Sequence, residues 1–272
     1  MVGAFLCAWP IAALAQLQVL PANRPLEVFA GGARQIEIAF RNPGPEPVTV
    51  DLHNRLYQTT PATAVLLRTA GWKSLQVLPG QTVAEAAVLD FPAVRAETHF
   101  LIQWLDGAKT VLGKTEVVAF PTDLLAGLRT LAGEQPLGVF DPSNQLKPLL
   151  QSLAIPFQDI AEDGADKFSG KLALFGPFAV PAQVPGSLAS DIRALAKRGV
   201  AVVWLQPPPV PHVPLKPSFH VVQKEGGAIV VAQCALVERL SDSPEAQLNL
   251  LRLAELALNP VAFDLPETEP QN

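Results

Sequence analysis

A chain of 272 residues with 49% hydrophobic and 17% charged side chains can bury the core of one large domain or two ordinary ones, which excludes general disorder. Its formal net charge is -5 and its 20 basic residues are scattered, so the composition argues against a nucleic-acid partner. The 27 prolines predict many strands, short helices and stiff loops, because proline interrupts helices.

Residues 1–15 form an uncharged, mainly apolar segment that ends in an Ala-Leu-Ala triplet before the polar Gln16. An apolar run that ends in small residues is typical of a secretory signal peptide, which is removed on export. The run is too short to cross a hydrocarbon layer of about 30 Å, so no stable membrane span is predicted. We therefore expect a periplasmic or extracellular protein. A buried first helix and lipid attachment at Cys7 are the alternatives.

Residues 16–121 are predicted to form an antiparallel β-sandwich. Gln35–Phe40 alternates polar and apolar side chains, which is typical of a half-buried strand, and the turn cluster Asn42–Pro45 ends it. Similar runs recur between turn residues. The runs are 35–40, 48–52, 64–67, 74–78, 83–89, 100–105 and 111–120. About seven strands at this spacing indicate two packed sheets.

This pattern resembles the immunoglobulin-like and fibronectin-type modules of exported proteins, and the resemblance covers Leu17–Pro121. It rests on the number and spacing of the strands. The cysteine pair of antibody domains is absent from this stretch of sequence, which fits the looser Ig-like group. The resemblance implies a sandwich that mediates contacts with other molecules.

Strands and helices alternate after the sandwich, which predicts an α/β domain over 122–265 with a mostly parallel open sheet, and a flexible tail at 266–272. Asp141 and Pro142 supply an N-cap and a first-turn proline for the first main helix. The predicted strands are 137–140, 155–160, 171–175 and 200–205, with a hairpin at 219–222 and 228–232, and the predicted helices are 142–153, 187–198 and 244–258.

Three segments of this domain are Leu137–Asp141, Leu172–Phe178 and Ala196–Trp204. Together they resemble the class I glutamine amidotransferase-like group, which has a flavodoxin-like fold. Active members of that group carry a nucleophilic Cys on a strand-to-helix elbow and a downstream His. Here Gln206 and three prolines follow the strand where the elbow is expected, and no Cys is near. The resemblance therefore implies a catalytically silent domain.

Ligands of open parallel sheets bind beyond the carboxyl ends of the strands, where loops and helix N-termini converge. The predicted rim consists of Asp141, Ser143, Asp159, Gly176, Phe178 and Gln206. Two carboxylates with no Arg or Lys on these loops favour a neutral polyol or a cation over a phosphate. The alternatives are that Asp141 only caps a helix, that Asp159 only solvates a loop, or that the 207–217 loop covers the crevice.

No cofactor, metal ion or catalytic nucleophile is predicted. The histidines His53, His99, His212 and His220 are not paired at ligand spacing with one another, with Cys or with carboxylates. The sequence strings typical of serine hydrolases, nucleotide-binding loops and dinucleotide-binding folds do not occur. Cys234 lies in an apolar run without the glycines of a nucleophile elbow, so we expect a buried, inert thiol.

These observations favour an exported, non-catalytic binding or structural module whose partner is a protein or a carbohydrate. One alternative is a carbohydrate-active hydrolase that uses Asp141 and Asp159 as a carboxylate pair. Another alternative is a subunit of an envelope or extracellular assembly. The sequence leaves the oligomeric state open.

Overall fold

The structure is a computed structural model, and it describes residues 17–176, 178, 184–206, 218–221, 226–233 and 240–260. The predicted signal peptide, Cys234, the 207–217 loop and the 266–272 tail lie outside the described residues. The chain divides into two compact units, Met1–Pro121 and Thr122–Asn272.

Eight strands make up the described part of the first unit. They are β1 (Gln18–Val19), β2 (Leu26–Phe29), β3 (Gly32–Arg41), β4 (Val48–Thr59), β5 (Ala64–Val77), β6 (Thr82–Phe91), β7 (Thr98–Asp106) and β8 (Thr110–Phe120). One sheet has the order β1-β3-β6 and the other has the order β2-β8-β7-β4-β5. All neighbouring pairs are antiparallel except β2 and β8, which are parallel. The expectation of a purely antiparallel arrangement was therefore wrong at β2.

The two sheets of the first unit share one hydrophobic core. On β3, Ile36, Ile38 and Phe40 are buried while Gln35 and Glu37 are exposed, so the predicted alternation holds on this strand. Trp104 of β7 is fully buried, and its indole Nε1 donates to the Thr115 hydroxyl at 2.9 Å. That bond satisfies the polar atom of the largest side chain in the core.

Strand β5 differs from its prediction. The runs 64–67 and 74–78 belong to one strand of 14 residues, and the pairing with β4 shifts register at Leu67 and at Trp72. A register shift of one residue is a β-bulge, which bends the strand and adds twist. The Trp72 ring lies 5.4 Å from that of Trp104, between centroids. Trp72 therefore packs against the core of the first unit.

The second unit is a sheet with helices on both faces. Its elements are a 3-10 turn (Leu124–Ala126), α1 (Gly127–Ala132), β9 (Leu137–Phe140), α2 (Leu146–Ser152), β10 (Phe157–Asp159), α3 (Ile160–Asp163), a 3-10 turn (Ala165–Lys167), β11 (Leu172–Phe175), α4 (Leu188–Lys197), β12 (Ala201–Gln206), β13 (Ser218–Val221), β14 (Ile229–Gln233) and α5 (Pro244–Leu258). The strand order is β10-β9-β11-β12-β14-β13. Five strands are parallel, and β13 pairs antiparallel with β14 at the edge.

Both faces of this sheet are covered by helices. Helices α1, α2 and α5 pack on one face, and α3 and α4 pack on the other. Val203 of β12 joins the first core and Val202 joins the second, which is why β12 is a continuous apolar run. Chain order reverses between β9 and β11, because β10 lies on one side of β9 and β11 lies on the other. Such a switch point is where open α/β sheets offer a crevice.

Among the helices of the described part, none is long and apolar enough to cross a membrane.

Candidate functional site

The switch point between β9 and β11 is closed by the backbone. The Gly176 N–H donates to the carbonyl oxygen of Phe140 at 2.8 Å, so the two strands remain joined beyond their last ladder residues. Gly176 has a φ of +101°, and a Cβ at this position would lie 2.5 Å from the carbonyl oxygen of Leu205. Only glycine fits this approach without displacement. Gly176, which was predicted on the rim, therefore holds the carboxyl ends of β9 and β11 together.

Three phenyl rings fill the same edge from the α4 side. The rings of Phe140 and Phe175 stack with centroids 5.7 Å apart, and Phe178 lies 6.2 Å from Phe140. Phe178 is buried in the core between the sheet and α4. Phe178 was predicted on the rim of an open crevice, but its ring packs inside the fold.

Asp141 follows β9 and is 2% exposed. Its Oδ2 accepts hydrogen bonds from the backbone N–H of Leu146 at 2.7 Å and of Lys147 at 3.0 Å. The carboxylate thus satisfies two of the free N–H groups at the start of α2. The helix begins at Leu146, so the prediction of a helix from Pro142 was wrong. The second oxygen, Oδ1, is buried and has no hydrogen-bond partner among the described residues.

Asp159 ends β10 and is engaged on both oxygens. Its Oδ1 accepts from the Ala161 N–H at 3.0 Å and caps α3, while its Oδ2 pairs with the Lys147 ammonium. Both side chains of this ion pair are 16% exposed. The expectation of two carboxylates without a nearby cation was therefore wrong. Lys147 was missed because it was assigned to the helix and not to the loop, although the first turn of a helix after a parallel strand lies at the same edge.

The remaining rim residues occupy the expected strand ends. Ser143 lies in the turn between β9 and α2, and Gln206 ends β12, opposite Gln233 of β14. The structure thus brings Asp141 and Asp159 together through Lys147, and it brings Gly176 and Phe178 together around Phe140.

A cavity of about 510 Å³ lies beside this edge, between α3, the second 3-10 turn and α4. None of the six predicted rim residues lines it. Its walls include Phe140 and Ile160, which adjoin Asp141 and Asp159 in sequence. Phe140 is the last residue of β9 and Ile160 is the first residue of α3, and both pack in the core on the α4 side of the sheet. Asp166, Asp191 and Arg198 also line the cavity and were not predicted.

Within the described ranges, no three His, Cys, Asp or Glu side chains are grouped closely enough to hold a metal ion.

The first unit has an exposed apolar surface on β5. Residues 60–67, which we call the apolar hairpin end, join β4 to β5 and contain no charged residue. Val65, Leu66 and Leu67 are 57%, 51% and 42% exposed. Strand β5 lies at the edge of its sheet, where β4 is its one partner among the described strands. The sequence predicted the strand but not this exposure.

No protein-family model matches the chain, and the search of curated proteins gave no match. Weak similarities to solved structures exist. The alkylpurine DNA glycosylase AlkC of Pseudomonas fluorescens, bound to DNA with an abasic site analogue, is 12% identical, with a TM-score of 0.31 over 39% of this chain and 31% of that one. A Listeria innocua β-glucosidase in complex with glucose is 12% identical, with a TM-score of 0.29, and the match covers 39% of this chain and 16% of the β-glucosidase chain.

The sporulation control protein Spo0M of Bacillus subtilis is 9% identical, with a TM-score of 0.30 over 43% of this chain and 56% of that one. In each case the matched part is less than two thirds of the other protein. Scores this low support neither a shared fold nor a shared activity.

Proposed function

We propose that the protein is an exported, non-catalytic module that binds a protein partner through the apolar hairpin end of its first unit. The observation that carries the proposal is the exposure of three consecutive apolar residues, Val65, Leu66 and Leu67, on an edge strand. Contiguous exposed apolar side chains on a folded protein are typical of interaction sites. Each of the three loses contact with water when a partner covers it, which favours binding.

The shape of β5 indicates which kind of contact this surface makes. The bulge at Leu67 interrupts the edge after Ala64, Val65 and Leu66, and a second bulge follows at Trp72. Bulges on an edge strand hinder the regular addition of another strand. Arg68, next to the apolar end, is paired with Asp90 at 2.9 Å. The partner therefore contacts the apolar side chains and does not extend the sheet over the whole strand.

The second unit supports a non-catalytic role. In the hydrolase alternative, Asp141 and Asp159 would exchange protons with a substrate. Asp141 instead holds two backbone N–H groups and Asp159 holds one N–H group and Lys147. Protonation of either carboxylate would weaken a helix cap. The arrangement therefore favours structural roles for this pair.

The same proposal assigns the first unit to the Ig-like class and the second to the amidotransferase-like class. Two sheets around one core support the first assignment. The order β10-β9-β11-β12 supports the second, because it is the 2-1-3-4 order of flavodoxin-like sheets. The hairpin β13–β14 at the edge is an addition to that order.

The test compares Leu66→Glu/Leu67→Glu with Val88→Glu, a matched control on an exposed residue of β6. Each purified protein, lacking residues 1–15, is cross-linked to an envelope extract of its producing cell, and captured proteins are quantified by mass spectrometry. We expect one partner to be captured by the wild type and by Val88→Glu, and to fall about tenfold or more with the double variant, which corresponds to at least 1.4 kcal/mol of binding free energy.

Equal capture by all three proteins would contradict a role for the apolar hairpin end. Thermal unfolding of the variants serves as the folding control, because surface substitutions normally change stability by no more than about 0.5 kcal/mol.

A further inference from the structure

Two aspartates of the chain are followed directly by glycine, and the fold holds them differently. They are Asp106, before Gly107 in the first unit, and Asp163, before Gly164 in the second. The backbone nitrogen after an aspartate can attack the carboxyl carbon of that side chain, and a following glycine obstructs the attack least because it has no Cβ. The local structure then decides which of the two sites reacts.

The first unit holds both reacting groups of Asp106 and Gly107. Asp106 ends β7, where it pairs with Leu52 of β4 and with Thr110 of β8. Its Oδ1 accepts a hydrogen bond from the Asp51 N–H at 3.0 Å, and the Gly107 N–H donates to the Asp51 carbonyl oxygen at 2.8 Å. The carboxylate and the N–H group are therefore both bound to one residue of the neighbouring strand.

The second unit leaves the Asp163 carboxylate unbound. Asp163 is the exposed last residue of α3, and its carboxylate has no hydrogen bond or ion pair with any residue that the structure describes. The Gly164 N–H donates to the carbonyl oxygen of Ile160 at 3.1 Å, which closes the single turn of α3. A helix of 4 residues gains little from its own hydrogen bonds, so this turn opens at a small cost in free energy.

The fold itself requires the glycine that makes Asp163 reactive. Gly164 has a φ of +89°, a conformation that L side chains rarely adopt. It ends α3 and precedes the 3-10 turn that begins at Ala165, so the chain changes direction here. A larger residue that would shield Asp163 is therefore disfavoured at this position.

We infer that Asp163 is a site of spontaneous isomerisation to isoaspartate, whereas Asp106 is protected by its contacts. In the first step the Gly164 nitrogen attacks Cγ of the protonated Asp163 side chain. A bond between N and Cγ forms, a bond between Cγ and oxygen breaks, and the amide proton leaves with the hydroxyl group as water. Water then hydrolyses the resulting succinimide. Cleavage at the main-chain carbonyl carbon gives isoaspartate, and cleavage at Cγ restores aspartate.

The product differs from aspartate in two ways. The main chain passes through the former side chain and gains one methylene group, at the point where α3 meets the cavity-lining residue Gly164. The former main-chain carbonyl carbon becomes a free carboxylate at an exposed position. The class of reaction that consumes this product is methylation of the isoaspartyl carboxylate by a methyltransferase. The inference does not depend on the proposed role of the apolar hairpin end.

The experiment incubates the purified protein lacking residues 1–15 at physiological temperature and neutral pH for several weeks. After digestion, the peptides that contain Asp163 and Asp106 are separated by reversed-phase chromatography, and isoaspartate is identified by electron-transfer fragmentation. We expect isoaspartate to accumulate at residue 163 at least about tenfold faster than at residue 106, because a short exposed turn opens more often than a paired strand end.

Two controls separate the effect of the fold from the effect of the sequence. In guanidinium chloride, where the protein is unfolded, both sites should form isoaspartate at similar rates. Asp163→Glu should remove most of the isoaspartate that the folded protein forms, because the attack would then have to close a larger ring. Asp123→Glu, at an exposed aspartate followed by Leu124, should change nothing.

Two results would overturn the inference. One is the absence of isoaspartate at residue 163 in the folded protein. The other is an equal rate at Asp163 and Asp106 in the folded protein, which would mean that the contacts of Asp106 with Asp51 give no protection. Unfolding curves of each variant confirm that the rates are compared in folded proteins.

Discussion

Two groups of polar residues lie around the sheet of the second unit, and they differ in how far the fold itself uses them. Asp141, Lys147 and Asp159 bind one another or backbone N–H groups, and Gly176 joins two strands. Asp166 and Asp191 line an open cavity without partners among the described residues. Position at the end of a parallel strand therefore does not make a residue available to a ligand, because the same position also serves helix capping and sheet closure.

The comparison predicts a large loss of stability at Gly176. Gly176→Ala should lower the free energy of unfolding by about 3 kcal/mol, because the new Cβ meets the Leu205 carbonyl oxygen and the φ of +101° disfavours an L side chain. Gly199→Ala is the matched control, since Gly199 has a φ of +89° with open space around it. The control should cost about 1 kcal/mol, which is the strain of an L side chain at positive φ without a steric clash. Urea unfolding measures the free energy of unfolding of both variants. Equal losses would mean that the close approach of Gly176 to the Leu205 carbonyl oxygen does not constrain this position.

The second prediction concerns the capping carboxylate. Asp141→Ala should lower the free energy of unfolding by about 2 kcal/mol, because the N–H groups of Leu146 and Lys147 lose a charged acceptor. Asp141→Asn keeps an acceptor oxygen and should cost less than Asp141→Ala. The control Asp191→Ala should stay within about 0.5 kcal/mol. If the two alanine variants are equally stable in urea, the difference between the two groups of carboxylates is not real.

Local signals explain which parts of the fold were predictable. The limits of α5 follow from the Ser243 cap, whose side chain accepts from the Ala246 N–H, and from Pro244 in the first turn. The buried stripe Leu188, Ile192 and Leu195 on α4 was likewise visible as helical periodicity. These features depend on residues close together in the sequence, so the sequence alone is enough to find them.

Other parts depend on contacts between distant residues. Lys147 reaches Asp159 only because β10 lies beside β9, and the sequence does not state strand order. The cavity is lined by residues of β9, α3, the second 3-10 turn, β11 and α4, which are distant in sequence, so no local pattern encodes it. The exposure of Leu66 and Leu67 was missed because an apolar run is the same in sequence whether its strand lies in the centre or at the edge of a sheet.

The smallest predicted effect tests whether the Lys147–Asp159 pair adds stability of its own. A double-mutant cycle with Lys147→Met and Asp159→Asn should give a coupling energy of about 1 kcal/mol, because both side chains are largely shielded from water. Asn at 159 keeps an oxygen to cap α3, so the cycle isolates the ion pair from the cap.

The exposed pair Lys114–Glu116 on β8 is the reference for this cycle. Its charged atoms are 3.8 Å apart and its side chains are 66% and 61% exposed, so salt and water screen the attraction. The same cycle there should give a coupling near zero. Urea unfolding at low and high salt measures both cycles, and the Lys147–Asp159 coupling should persist in salt better than the reference. A coupling near zero for both pairs would mean that the partly buried pair of Lys147 and Asp159 adds no more stability than an exposed pair does.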